Sequence, residues 1–461
     1  MTEKIKGKNV SQNDVKQLLR ENKELKRKIE KQMHRIEKLK QEKKAIKKEF
    51  KKYKARHPAT VGVKNGKPYA FKSNTKSANP KRPGARKSHK RQVRKMPEYI
   101  DEIVPIPIET CPHCGGINLS ENVQEIRTRV VEDIPVIKPV VTRCEIERRY
   151  CRNCKKLVEM PVNQALPKAR IGIRTMLLVI YLKIRLRMPV NNIQKFLKCV
   201  YGLAISEGEV CLIQQQMAEA FGPYYKQLLI DIRNAPARYI DETSWRINGE
   251  NAWLWAFITK YEALYIIAKN RCHEVPLGIL GKKHNGVDVH DRFSAYKALA
   301  RKTKNIQQDC WAHILEDGKE LARFYGADGE FIHQELKKIH TKGKEFDHKG
   351  TDKDIENLFQ EMADSLDRQY SSMHCYKFVL NLLKEKDNLF EFVRNPDVDS
   401  TNNRAERGIR HSVVARKISG GSKSEKGAKI YGILTSVLHT IHQKGENILD
   451  QGSKILETSH G

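Results

Sequence analysis

The sequence predicts an α/β multidomain chain in which a strand-rich core follows an N-terminal coiled-coil helix, a cysteine module and a helical domain. Three observations point there. A heptad repeat runs from Val15 to Phe50. Two Cys-x-x-Cys motifs follow at Cys111–Cys114 and Cys151–Cys154. From Ala237 the texture changes from amphipathic helices to short apolar runs of strand-forming residues, and it returns to helix after Glu316.

In the heptad segment, positions a hold Val15, Asn22, Ile29, Ile36, Lys43 and Phe50, and positions d hold Leu18, Leu25, Gln32, Leu39 and Ile46. Eight of these eleven seam positions are apolar, with no Gly or Pro over five heptads, so residues 1–56 are expected to form a coiled-coil helix. Asn22 at an a position favours two parallel strands. A homodimer or higher oligomer is therefore expected. A lone amphipathic helix packed on the body is the competing reading.

Charge is distributed unevenly. The 461 residues carry a net charge of +32, and the first 100 residues hold 33 basic against 9 acidic ones. Between Lys51 and Pro97 there are sixteen Lys and Arg and no acid. Such a run repels itself, cannot bury a core, and binds phosphates by releasing their counterions. Residues 57–98 are thus expected to be a basic flexible arm, with Lys81, Arg82, Arg86, Lys87, His89 and Lys90 as candidate contacts to double-stranded DNA. A solubilising linker is the alternative. Met1–Val10 is polar with no apolar h-region after it, and the longest apolar run, Met176–Leu182, stops at Lys183. A secretory leader and a membrane partner are excluded on that reading, and a prokaryotic cytosolic, nucleoid-associated location is expected.

Five of the ten cysteines cluster between Cys111 and Cys154. Each Cys-x-x-Cys places two thiolates on one tight turn, and Gly115-Gly116 lets the first turn fold back. Cys111, Cys114, Cys151 and Cys154 together make a candidate closed tetrahedral Zn2+ site, structural because no position is left open. This defines a zinc-binding module over 99–165, built of short strands. Helices are expected at Ile171–Leu186, Asn192–Val200 and Glu207–Ala220, the last N-capped by Ser206. They form a helical domain, 166–232, in which the turn at Gly202 allows a helix-turn-helix or ordinary helix packing.

Strands are expected at Ala237–Asp241, Trp253–Thr259, Ala263–Ala268, Val287–Asp291 and Ile306–Cys310, with an Asn248-Gly249 turn after the first. They form the first part of the core, 233–314. Residues 315–395 read as a helical insertion, and 396–461 as the second part of the core with an apolar C-terminal helix. Asp241 and Asp291 are expected at C-terminal strand ends, and Glu406 on a helix. Two strand-end carboxylates and a third on a helix can hold two divalent ions about 4 Å apart for phosphoryl transfer. Spacing alone leaves each acid open to a turn, cap or surface-pair role.

The surrounding residues narrow this. Asp241-Glu242-Thr243, Trp253-Leu254-Trp255, His290-Asp291-Arg292-Phe293-Ser294-Ala295-Tyr296, Cys310-Trp311-Ala312-His313, Asn402-Asn403-Arg404-Ala405-Glu406-Arg407 and Arg416-Lys417-Ile418-Ser419-Gly420-Gly421 occur in that order. Together with the Cys-Pro-His-Cys-Gly-Gly module they resemble the insertion-sequence-66 family of DDE transposases. The resemblance implies a ribonuclease-H-like catalytic core interrupted by the helical insertion. It implies Asp241, Asp291 and Glu406 as catalytic ligands of Mg2+ or Mn2+, with strand cleavage at transposon ends and strand transfer to target DNA. Accessory transposition proteins are possible partners. Arg404, Arg407, Arg416, Lys417 and Lys423 flank the third acid as candidate DNA contacts, the last in a Gly- and Ser-rich loop expected to be mobile. Cys310 and His313 resemble a Cys-x-x-His signature of several transposase families and are expected to pack and position rather than bind metal. Two other readings compete: a transposase-derived DNA-binding or regulatory protein with an inactive core, and a nuclease without strand transfer.

Overall fold

The computed structural model describes residues 61–64, 67–70, 94–167 and 169–458. The heptad helix and Lys81, Arg82, Arg86, Lys87, His89 and Lys90 lie outside the described residues. The chain divides into two compact units, residues 1–131 and 132–461.

In the first unit, β1 (Val61–Lys64) and β2 (Lys67–Ala70) pair antiparallel, with Val61 opposite Ala70. This hairpin falls inside the segment expected to be a structureless arm. Val61, Val63 and Tyr69 supply local strand propensity that the charge argument overlooked. The strands expected throughout the cysteine module are fewer than foreseen. Among the described residues between 94 and 165 only β3 (Arg148–Cys151) and β4 (Lys156–Glu159), both in the second unit, pair in a ladder. Runs such as Ile103-Val104-Pro105-Ile106-Pro107-Ile108 look strand-like, but their prolines lack the N–H that a ladder needs.

The second unit continues with α1 (Ile173–Ile180), extended by a π-helical turn at Tyr181–Arg185, then α2 (Val190–Tyr201), α3 (Glu207–Ala220) and α4 (Gly222–Asn234). The Ser206 hydroxyl accepts the Glu209 N–H at 3.0 Å, as its N-cap position requires, and Gly202 closes α2 in the left-handed conformation. Helix α4 was not anticipated as a separate element.

A mixed five-stranded sheet follows, with spatial order β7-β6-β5-β8-β9. Its members are β5 (Ala237–Ile247), β6 (Glu250–Ile258), β7 (Ala263–Ala268), β8 (Val287–His290) and β9 (Ile306–Asp309). β5, β6 and β7 form an antiparallel meander, whereas β8 and β9 run parallel to β5. The β5–β6 hairpin closes through Asn248 (φ 51°) and Gly249 (φ 81°), the two positive dihedrals of a two-residue turn that matches strand twist. Short helices α5 (Glu274–Leu280) and α6 (Ser294–Thr303) flank β8 in sequence.

Alternation along the strands buries both faces. Tyr239, Trp245, Leu254, Ala256 and Ile258 pack with α7 (Trp311–Glu345), α8 (Asp352–Leu366), α9 (Met373–Leu383) and α10 (Asn403–Ser419). Ile240, Trp255, Phe257 and Leu264 pack on the other face with α1–α4, α11 (Glu425–Gln443) and α12 (Ile448–Thr458). Each fully buried large apolar side chain contributes about 1.5–3 kcal/mol, so the two layers clamp the sheet firmly. Helix α7 is broken at Tyr325 and Gly326, where the backbone leaves the helical region. Helix α11 covers the exposed edge of β7. Its Ser436 hydroxyl accepts the Tyr265 N–H at 2.8 Å and its Thr440 hydroxyl accepts the Ala263 N–H at 3.0 Å, satisfying donors that an open edge would present. Gly432 permits this approach, since a Cβ there would lie 2.9 Å from the Tyr265 carbonyl oxygen.

Beneath α11, Tyr265 donates to the Gly408 carbonyl at 2.8 Å and also meets His439 Nδ1. The phenol has one proton, so His439 must donate through Nδ1, which fixes its neutral tautomer. Burial, followed by the charges of His411 and Arg185, pushes His439 down to about 2; burial and Arg185 push His411 down to about 4. Below the ordinary histidine value near 6.5 the unfolded chain takes up protons that the folded chain refuses. Stability present above that pH is therefore lost as pH falls from about 6.5 toward 4. Thermal denaturation should give a lower midpoint at pH 5 than at pH 7.5, with a smaller difference in His439→Gln.

Candidate active site

The parallel ladder between β5 and β8 aligns Arg238 with Asp288 and Tyr239 with Val289. Two further steps bring Asp241 level with Asp291, the first residue after β8. Asp241 is not at a strand end as expected; it lies inside the eleven-residue β5, opposite Ala256 of β6. The expectation failed because β5 outlasts its parallel neighbour and continues only as half of the hairpin. The parallel pairing with β8 ends at Tyr239, two residues before Asp241, and Asp291 follows directly after β8.

Asp291 has one oxygen committed, since its Oδ1 accepts the Phe293 N–H at 3.0 Å and shapes the turn into α6. Glu406 sits in the first turn of α10. Buried Asn402, the residue preceding that helix, donates through Nδ2 to the Ile240 carbonyl at 2.8 Å and through its N–H to Cys310 Sγ at 3.1 Å. It thereby ties the start of α10 to β5 next to Asp241 and to the start of α7. In the sequence Asn402 stands within a motif with no role of its own; only the long-range contacts reveal one.

These placements bring the acids into one electrostatic field. Burial, then the carboxylates of Glu242 and Asp291, with a smaller contribution from Glu406, push Asp241 up to about 7, against the Glu242 N–H that donates to its Oδ1 at 2.9 Å. His313, one turn into α7, is raised to about 9, chiefly by its hydrogen bond with Cys310 against the cost of burial, then by Cys310, Glu406 and Asp291. Its Nε2 lies 3.9 Å from Glu406 Oε1. Cys310 itself is buried. Glu242 points to the opposite face, where Arg271 holds it at 2.6 and 2.8 Å and the Tyr296 hydroxyl donates to it. Burial, opposed by these bonds, raises its pKa. The Arg271 guanidinium stacks over Trp253 at 4.6 Å and Phe293 at 3.9 Å, linking the β5 acid pair to the Asp291 turn. In the sequence, the signal for this network is the adjacency of Glu242 to Asp241.

The basic residues around Glu406 divide. Arg404 pairs with Asp399 at 3.2 Å and lies over the Tyr239 ring at 4.8 Å. Arg416 donates to Thr243 Oγ1 at 3.2 Å and to Ser244 Oγ at 2.5 Å, fastening α10 to β5. Both are expected DNA contacts, and both also bond to neighbours within the protein. Arg407, Lys417 and Lys423 are exposed. The loop carrying Lys423 was expected to move freely, yet it is stitched to the hairpin: Ser422 N–H donates to Arg246 O at 2.9 Å, Asn248 N–H to Ser422 O at 2.8 Å, and Trp245 Nε1 to Ser422 Oγ at 3.1 Å.

Each cysteine turn has its own local order. Cys111 N–H donates to Gly116 O at 2.9 Å and Gly115 N–H to Cys111 O at 2.8 Å, a fold-back that uses the positive φ of Gly115 (72°). The amides of Cys114 and His113, and the Cys114 thiol, hold the Cys111 thiol below its ordinary range. The Cys154 amide, its thiol and the Asn153 amide do the same for Cys151. Amides aimed at a thiolate are what a metal-binding knuckle needs.

A family model described as "Transposase IS66 family" matches residues 168–430, and one described as "zinc-finger binding domain of transposase IS66" matches residues 109–155. Among curated proteins, the chain is similar to "Uncharacterized protein y4hP" of Sinorhizobium fredii, 23% identical over 398 residues, covering 77% of this chain and 71% of that protein.

Proposed function

The chain belongs to the IS66 family of transposases, and from that premise we propose that it binds transposon ends and catalyses metal-dependent strand cleavage and transfer through Asp241, Asp291 and Glu406. The observation that carries this reading is the state of Asp241: burial, then its acid neighbours, Asp291 and Glu406 among them, push it up to about 7. The sheet order, an antiparallel meander followed by two parallel strands, supports a ribonuclease-H-like core. The zinc-finger match supports a Zn2+ module, and no helix among the described residues is long and apolar enough to cross a membrane.

A divalent cation suits the donor set, because crowded carboxylates that raise one another's pKa are relieved by positive charge. Asp241, Asp291 and Glu406 would hold Mg2+ or Mn2+, which when bound activates the attacking oxygen and stabilises the leaving one. The chain's own residues do the rest. Asn402 holds Glu406 against β5, and the Phe293 N–H orients Asp291 so that its second oxygen stays free. Exposed Arg407, Lys417 and Lys423 meet phosphates and position the duplex without reading its sequence. In the first step water attacks a phosphodiester at the element end and releases a 3′-OH. In the second that hydroxyl attacks a target phosphodiester, one P–O bond forming as another breaks, with no covalent enzyme intermediate.

The test is incubation of the full chain with duplexes carrying the element's own ends, target DNA and magnesium. Joined products support the reading. Binding without cleavage would favour the inactive-core alternative, and cleavage without joining a nuclease. Separately, Cys111, Cys114, Cys151 and Cys154 are expected to bind one Zn2+ per chain. Metal analysis of the chain beside Cys114→Ser checks this: the variant should hold one ion fewer, and its module, whose stability would be metal-linked, should unfold.

A further inference from the structure

We propose that Cys310, His313 and Glu406 form a second site for a thiophilic divalent cation, Zn2+ by chemical class, separate from the cysteine module. One ligand atom from each of the three lies within 4.8 Å of the other two. Around a tetrahedral zinc, sulfur at ~2.3 Å and nitrogen at ~2.0 Å sit about 3.5 Å apart, so the three groups are already close to ligating separation, with His313 Nε2 3.9 Å from Glu406 Oε1. The fold leaves freedom to move on one side only. Cys310 is buried at the junction of β9 and α7, its Sγ aligned by the Asn402 N–H at 3.1 Å. His313 and Glu406 are about half exposed, at 48% and 44% of their side-chain surface, and can move toward it.

The donor chemistry distinguishes this site from the magnesium one. A thiolate and an imidazole suit zinc and are poor partners for magnesium, which takes oxygen ligands. Three protein ligands leave a fourth position open to water or a phosphate oxygen. The arrangement also shares Glu406 with the acid triad, and a carboxylate turned toward Cys310 and His313 is withdrawn from Asp241 and Asp291. Zinc at this site therefore inhibits magnesium-dependent cleavage. The inhibition rests on the catalytic reading above; the binding does not.

The experiment uses the full chain equilibrated with zinc, with bound metal counted per chain. Wild type is expected to hold two equivalents. His313→Ala and Cys310→Ser should each hold one, retained by the cysteine module, with an unchanged far-ultraviolet dichroism spectrum. Equal counts in wild type and in folded His313→Ala would overturn the proposal. Should Cys310→Ser misfold, His313→Ala alone decides, because its side chain is half exposed. In the cleavage assay, the ratio of rates with and without added zinc should fall at least tenfold in wild type and by less than twofold in His313→Ala. Equal sensitivity would refute the inhibitory role. A chain that never cuts DNA would sink the catalytic reading, and the metal count would still decide whether the second zinc site exists.

Discussion

Replacing Asp241 with alanine is expected to abolish cleavage while leaving duplex binding intact, a loss of roughly 10³-fold or more, or about 4 kcal/mol of barrier. Asp291→Ala and Glu406→Ala should behave alike, because three carboxylates sharing the proposed metal would act as one unit whose losses do not add. The effect should be larger than for any surrounding basic residue, since on the proposed reading Arg407 or Lys417 would contribute only to phosphate positioning. The raised Asp241 pKa adds a second signature. Near pH 7 a proton competes with the metal for this carboxylate, so binding of magnesium must expel it. The magnesium concentration needed for half-maximal cleavage should accordingly fall as pH rises from 6 to 8. Gel-shift and cleavage assays on the same preparations separate the two effects.

The largest stability effect is expected at Asp288→Ala. Arg238 and Asp288 are fully buried and paired at 2.8 Å. Asp288 also receives His284 at 3.0 Å, Asn305 at 3.2 Å and Gln307 at 3.3 Å. Burial opposes its charge, yet His284 and Arg238 hold its pKa below the ordinary carboxylate value. Removing the carboxylate strands a guanidinium in the core, at a cost of about 3–5 kcal/mol. Urea denaturation should show the midpoint collapse. An Arg238→Met, Asp288→Leu double variant should recover much of it, because replacing both charges removes the desolvation penalty along with the pair. Asp288 lies within β8, three residues before Asp291, and its pair with Arg238 holds β5 and β8 in register.

Much of the core was legible because its signals are local. Ser206 as N-cap, Asn248-Gly249 as hairpin turn, and Ala263–Ala268 as strand follow from the chemistry of a few adjacent residues. Asp291 was placed correctly after β8 for the same reason. The misses share a cause in long-range contact. Asp241 lies mid-strand because β5 outlasts β8, which no window of sequence contains. The partners of Arg404 and Arg416, namely Asp399, Thr243 and Ser244, reach them only through the fold. Asn402 and the Glu242–Arg271–Tyr296 network link residues tens to hundreds of positions apart. In the cysteine module, prolines such as Pro105 and Pro107 withhold the N–H that the expected strands need.

The central claim is that Asp241, Asp291 and Glu406 hold the metal at which DNA strands are cut. Anomalous diffraction from crystals soaked in manganese tests it most directly. The expected result is a manganese peak bonded to Asp241 and Asp291, with Glu406 in reach, and its loss in Asp241→Asn. Manganese bound elsewhere, or the three carboxylates more than about 10 Å apart in the metal-loaded chain, would contradict it.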